Sequence, residues 1–171
     1  MDRNEIITRF VSALRTCVKN DRSLIWRKVH ERAITASLAC YMRPLFHEFD
    51  VDVEYNRNME STKSTGDVRN PFPDIIVHIR ESNAHNMLAV EAKCHWSTSD
   101  RDNDRKKLVS FVESPEFQYH IGIALEFCKP VPIPNENAKF IYRCQLEYYY
   151  DGQWHDPVLV ELDETENIHR R

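Results

Sequence analysis

Residues 73–79 read Pro73-Asp74-Ile75-Ile76-Val77-His78-Ile79, and residues 87–93 read Met87-Leu88-Ala89-Val90-Glu91-Ala92-Lys93. Two apolar runs separated by a short polar segment predict two antiparallel strands joined by a turn. Alternate residues of a strand share a face, so Glu91 and Lys93 lie together while the opposite face is entirely apolar. Antiparallel pairing brings Asp74 beside them. The sequence therefore predicts two carboxylates and one ammonium at one corner of a sheet, where a hard divalent cation would find oxygen ligands.

Length and composition favour one globular domain, spanning residues 1–171. The chain has 171 residues, of which 42% are hydrophobic and 29% charged, so it is neither disordered nor membrane-embedded. No apolar run approaches the roughly 20 residues of a membrane span, and the N-terminus lacks a signal-peptide pattern. Five scattered cysteines without a C-x-x-C pair predict a reducing cytoplasm, with neither a disulfide framework nor a structural zinc site.

Two helices are predicted before the apolar runs, over residues 3–19 and 24–46. Ile34, Leu38 and Met42 form the apolar stripe of the second helix, and Glu31 falls on that stripe. A buried carboxylate is costly unless it is paired or bound to a cation. The alternative is a glutamate near the helix end whose side chain reaches solvent.

The remaining elements follow from alternation, helical spacing and turn signals. They are a strand at 51–56, a polar loop at 57–72, a helix at 102–113, a strand at 119–127 and a C-terminal hairpin at about 139–162. Gly122 lies inside the strand at 119–127, where it predicts a close approach by another element. Asp151-Gly152 is the turn signal of the C-terminal hairpin.

The order from residue 24 onward is helix, three strands, helix and strand. Glu31 lies on the first helix, Pro73-Asp74 opens the second strand, and Glu91-Ala92-Lys93 closes the third. This order and these residues resemble the PD-(D/E)XK, or restriction-endonuclease-like, nuclease superfamily over about residues 24–127. The resemblance implies an α/β fold with an αβββαβ core, in which helices flank a mixed central sheet. An N-terminal helix and a C-terminal β-hairpin would be added to this core.

The resemblance implies a metal-dependent nuclease, most simply an endonuclease, with DNA as the expected partner. Its expected role is defence or DNA processing, and its expected location is the cytoplasm. Mg²⁺ (or Mn²⁺) would be held by Asp74, Glu91 and Glu31, and would polarise the scissile phosphate and acidify a bound water. Lys93 would orient or help deprotonate that water and stabilise the transition state. The alternatives taken residue by residue are a turn role for Asp74 and a surface ion pair for Glu91 and Lys93.

Substrate contacts are expected from cationic and polar residues near this corner. The candidates are Asn56, Arg57, Arg101, Arg105, Lys106 and Lys107. Cationic side chains on the helix at 102–113 would contact phosphates without reading sequence, and a solvated helix face is the alternative. The net charge of −4 calls for a narrow basic cleft, a protein partner that supplies binding, or a homodimer that pools two faces. A second functional hypothesis is a catalytically silent nuclease-fold subunit that binds nucleic acid or scaffolds a complex.

Overall fold

The computed structural model describes residues 1–55, 57–58, 61–62, 72–135 and 139–162. The helices in these ranges are α1 (Arg3–Trp26), α2 (Glu31–Met42) and α3 (Arg101–Glu113). The strands are β1 (Asp50–Val53), β2 (Arg57–Asn58), β3 (Ser61–Thr62), β4 (Ile75–His78), β5 (Leu88–Cys94), β6 (Ile121–Phe127), β7 (Val131–Pro132), β8 (Phe140–Tyr150), β9 (Gln153–Trp154) and β10 (Val158–Leu162).

One mixed, open sheet organises the described part of the chain. Its strand order is β1-β4-β5-β6-β8-β10, and β7 and β9 also pair with β8. Only the β5–β6 pair is parallel among these pairings. The short β2–β3 ribbon stands apart from this sheet. The main sheet keeps the predicted order as α2, β1, β4, β5, α3 and β6, but the β2–β3 ribbon lies in the segment predicted as the polar loop at 57–72.

The sheet separates two apolar clusters, as alternation in its strands requires. Leu88 and Val90 of β5 pack with α1 and α2 on one face, in the larger cluster. Ala89 lies on the other face with Leu108 and Phe111 of α3. Helices therefore cover both faces of the sheet, and the predicted α/β class is confirmed. No helix among the described residues is long and apolar enough to cross a membrane.

The two N-terminal helices differ from their predicted bounds. The expected break near residue 20 is only a kink at Asp21 (φ −119°, ψ 20°), and α1 continues to Trp26. Asp21 accepts hydrogen bonds from Ser37 and Tyr41 of α2, which ties the kink to the second helix. Helix α2 then begins at Glu31, with His30 as its N-cap. Glu31 is therefore in the first turn of the helix rather than one-third of the way along it.

The polar side of β1 is more buried than alternation indicated. Asp52 is only 9% exposed and His78 only 4%. His78 Nε2 lies 3.1 Å from Asp52 Oδ2, and Arg80 also donates to this carboxylate. Burial alone would raise the pKa of Asp52, but the hydrogen bonds from Arg80 and His78 lower it. His78 therefore belongs to a structural ion-pair cluster away from Glu91 and Lys93.

The C-terminal hairpin forms where the turn signal placed it. Asp151 and Gly152 both adopt positive φ (51° and 74°), as a tight two-residue hairpin turn requires. After this turn, β9 and then β10 each pair antiparallel with β8. The paired strands of this hairpin run from Phe140 to Leu162.

Gly122 lets α3 lie directly on the sheet. A Cβ atom at this position would stand 3.2 Å from Leu108 Cβ and 3.4 Å from Val112 Cγ2. We expect Gly122→Val to lower the free energy of unfolding by about 1–3 kcal/mol in urea titrations, because the added methyl groups overpack the contact. Gly122→Ala should cost less, since a shift of a few tenths of an ångström accommodates one Cβ. Equal stability of wild type and Gly122→Val would contradict this close packing.

Candidate active site

The site lies at the end of β5, which continues past the start of β4. Two backbone amides of this strand end therefore lack a β4 partner. The last β4–β5 pair at this end joins Ile75 to Val90, so Ala92 and Cys94 have no β4 residue opposite them. Buried amides need acceptors. Ala92 N–H donates to Asp74 Oδ2 (2.8 Å), and Cys94 N–H donates to Glu31 Oε2 (3.0 Å). The carboxylates of Asp74 and Glu31, two of the three predicted from the sequence, are therefore held against the end of β5.

Lys93 projects between a carboxylate of α2 and a carboxylate of α3. Its Nζ lies 3.2 Å from Glu31 Oε1 and 3.2 Å from Asp104 Oδ2. Burial by itself would lower the pKa of Lys93, but the charges of Asp104 and Glu31 outweigh burial and raise that pKa. Lys93 is therefore a fixed ammonium at neutral pH.

Glu91 is the most buried acid of this corner, at 2% exposure. Lys107 Nζ approaches its Oε1 to 2.7 Å and lies 3.4 Å from Asp104 Oδ1. Lys107 is thus the close positive neighbour of Glu91 Oε1, as Lys93 is of Asp104 Oδ2 at 3.2 Å. Both oxygens are buried, so each depends on its ammonium for charge compensation.

Ion pairs join five side chains, and Asp74 adjoins them through the Ala92 amide and its electrostatic interaction with both lysines. We call the six side chains the carboxylate–lysine cluster: Glu31, Asp74, Glu91, Asp104, Lys93 and Lys107. Four carboxylates face two ammonium groups, so the cluster has a formal surplus of two negative charges. Burial raises the pKa of Asp74 more than the Ala92 amide lowers it. Burial and the charge of Asp74 hold the pKa of Glu91 well above its ordinary range. Burial is the largest cause of both shifts, and a cation bound beside these carboxylates would lower both pKa values.

The donor set fits a divalent cation held by few protein ligands. Among the described residues, no three carboxylate, histidine or cysteine side chains are arranged as a ready-made metal site. Both oxygens of Glu31 are engaged, by Lys93 and by the Cys94 amide, so Asp74 and Glu91 are taken as the principal oxygen donors and Glu31 as the third predicted ligand. Mg²⁺ commonly takes one or two carboxylates and completes its shell with water and substrate phosphate. The buried carboxylate of Glu91, the half-buried carboxylate of Asp74 and the charge surplus satisfy that requirement.

A pocket of about 190 Å³ opens beside the cluster, between α3 and the strands β5, β6 and β8. Its floor is two rows of cross-strand neighbours, Lys93 with Glu126 and Gln145, and Glu91 with Ala124 and Glu147. The lining is Glu91, Lys93, Arg101, Asp102, Asp104, Arg105, Ala124, Leu125, Glu126, Gln145 and Glu147. Five of these residues are acidic and three are basic, so the pocket favours cations over free phosphate.

The residues predicted to contact substrate lie in different environments in the structure. Arg101 pairs with Glu126 (2.7 Å), and Arg105 pairs with Glu147 (2.7 Å) and lies over the Trp154 ring. Lys106 is exposed, as a solvated helix face would have it. Lys107 is instead buried against Glu91. Asn56 and the side chain of Arg57 lie outside the described residues.

Sequence reasoning missed Asp104 and the burial of Lys107. Both fall on the inner stripe of α3 with Leu108 and Phe111, at helical spacings of three, one and three. This is the argument that singled out Glu31 on the preceding helix. Applied to α3, the same spacing would have placed a carboxylate and an ammonium against the sheet.

No family model, curated protein or solved structure matches this chain.

Glu31 connects α2 to the end of β5, so replacing its side chain should destabilise the protein. We expect Glu31→Ala to lower the free energy of unfolding by about 1–3 kcal/mol, because the Cys94 amide loses its acceptor in a partly buried position. Glu31→Gln should retain much of that stability through its side-chain carbonyl. The neighbouring exposed variant Arg32→Ala should stay within about 0.5 kcal/mol of wild type. Urea unfolding in chelator measures all three, and an unchanged Glu31→Ala would contradict the bridge.

Proposed function

We propose that this protein is a divalent-cation-dependent nuclease that hydrolyses phosphodiester bonds in DNA, built on a restriction-endonuclease-like core. The observation that carries the proposal is the convergence of Glu31, Asp74, Glu91 and Lys93 at one strand end. Strand alternation predicted Asp74, Glu91 and Lys93, and helical periodicity independently predicted Glu31. Their meeting in a buried cluster with surplus negative charge supports a shared chemical role.

The fold supports the same assignment. The αβββαβ core would consist of α2, β1, β4, β5, α3 and β6, with α1 added before it and the β8–β10 region after it. The acidic residues then lie at the start of the second core strand and the end of the third. This is where the resemblance expects them. Fold alone does not establish activity, so the proposal depends on the cluster.

The chemistry follows from the charges at this corner. Asp74 and Glu91 would hold the divalent cation, which when bound supplies Lewis acidity and an acidified water. Lys93, a fixed ammonium beside them, would orient the attacking water and stabilise charge on the scissile phosphate. Glu31 would act through Lys93 by fixing its position, and it also accepts from the Cys94 amide.

The acidic pocket also has a consequence for substrate binding. Arg101 and Arg105 are already paired with Glu126 and Glu147, so they offer little free charge to a DNA backbone. Phosphate contacts would then come from another surface, from a second copy of the chain or from a protein partner. The same observation favours the second candidate, a nuclease-fold subunit that binds or scaffolds without cleaving.

Cleavage of a supercoiled plasmid tests the activity directly. We expect the purified protein to nick plasmid with Mg²⁺ or Mn²⁺ and to stop in excess chelator. Lys93→Met should lower the nicking rate about 10²–10³-fold, the usual cost of removing one charge-stabilising donor. It should still bind Mn²⁺, because Asp74 and Glu91 remain.

The matched control is Lys19→Met, an exposed lysine on α1, which covers the opposite face of the sheet. It should nick at the wild-type rate. Full activity of Lys93→Met, or activity in chelator, would refute the nuclease assignment. Retardation of DNA on a gel without cleavage under any metal would support the binding subunit instead.

A further inference from the structure

The packing of α3 on the sheet fixes the position of Lys107. It lies on the inner stripe of α3 with its side chain 8% exposed, and α3 is seated on the sheet by the close contact at Gly122. Its Nζ stands 2.7 Å from Glu91 Oε1. A lysine that bound solvent or DNA phosphate would lie on the outer face, as Lys106 does. The ammonium of Lys107 is therefore built into the cluster.

An ammonium group and a divalent cation compete for the same carboxylate oxygen. Glu91 is almost fully buried, and its Oε1 has Lys107 as its close positive neighbour. A cation that binds Asp74 and Glu91 must overcome the repulsion of that ammonium or displace it. Lysine has a flexible stem and no fixed hydrogen-bonding plane, so it can move without unfolding the helix. Because Lys107 must be repelled or displaced, its contact with Glu91 lowers the affinity of this site for a divalent cation.

Asp104 provides a second anion for the displaced ammonium. Its Oδ1 lies 3.4 Å from Lys107 Nζ, one helical turn earlier on α3. Its Oδ2 lies 3.2 Å from Lys93 Nζ, so this carboxylate already contacts both lysines of the cluster. Lys107 can therefore leave Glu91 and remain paired, and no buried charge is left alone.

We propose that Lys107 is an internal counter-cation that holds Glu91 in the metal-free protein, weakens divalent-cation binding, and transfers to Asp104 when the cation arrives. This inference rests on the proposed function only in taking Asp74 and Glu91 as the cation's ligands. It assigns Lys107 a positioning role toward the cation, in place of the phosphate contact expected from the sequence. The two lysines of the cluster then have separate tasks, since Lys93 contacts Glu31 and Asp104 and Lys107 contacts Glu91.

The affinity of the full-length protein for Mn²⁺ alone tests the proposal, by calorimetric titration or by the spin-resonance signal of free Mn²⁺. Lys107→Met should bind Mn²⁺ at least tenfold more tightly than wild type. Lys93→Met is the matched control, because it removes the same charge from the same cluster without releasing Glu91. Its gain should be several-fold smaller, and Lys106→Met should bind as wild type does. Equal gains in Lys93→Met and Lys107→Met, or weaker binding by Lys107→Met, would overturn the proposal.

A second variant keeps the test valid if Lys107→Met does not fold. Lys107→Arg retains the charge, and its planar fork holds a carboxylate more firmly than an ammonium does. We expect Lys107→Arg to bind Mn²⁺ several-fold more weakly than wild type. Unchanged or tighter binding would overturn the proposal.

The outcomes separate this inference from the nuclease assignment. If the wild type cleaves no DNA but Lys107→Met gains more Mn²⁺ affinity than Lys93→Met, the counter-cation stands and the nuclease proposal fails. If the wild type cleaves with metal while the two variants bind Mn²⁺ alike, the nuclease proposal stands and the counter-cation fails. Absence of Mn²⁺ binding in the wild type and both variants overturns the counter-cation.

Discussion

The amides of Ala92 and Cys94 impose the constraint from which the site follows. β5 continues beyond the point where β4 begins, and its two amides on that side need acceptors in a buried setting. Side-chain carboxylates from Asp74 and Glu31 supply them. A requirement of backbone hydrogen bonding thus collects acids from a strand and from a distant helix at one place.

Collecting acids at a buried strand end creates an electrostatic cost, and the cluster only partly offsets it. Lys93 and Lys107 supply two positive charges to four carboxylates, and burial raises the pKa values of Asp74 and Glu91. A site that served stability alone would be better completed by two more cations or by apolar residues. Retained surplus charge is typical of functional sites, where a bound cation supplies what the protein lacks.

The sequence predicted most of this corner, and its failures have physical causes. Alternation placed Asp74, Glu91 and Lys93 together because strand pairing is local and period-two. Helical periodicity selected Glu31 although the predicted bounds of its helix were wrong, since a stripe depends on spacing and not on where a helix starts. Asp104 and the burial of Lys107 depend on how α3 lies on Gly122, a tertiary contact that spacing indicates but does not orient. The cluster at Asp52 likewise required the side chain of Arg80 to fold back over β1.

A crystal structure of the protein grown with Mn²⁺, with anomalous data collected at the manganese edge, would show whether the cluster holds a cation. We expect an anomalous peak between Asp74 and Glu91, with Lys93 still paired to Glu31 and the Lys107 ammonium withdrawn toward Asp104. A crystal without manganese at these carboxylates, in which Lys107 still contacts Glu91, would contradict this expectation. The six side chains would then be a purely structural ion-pair network.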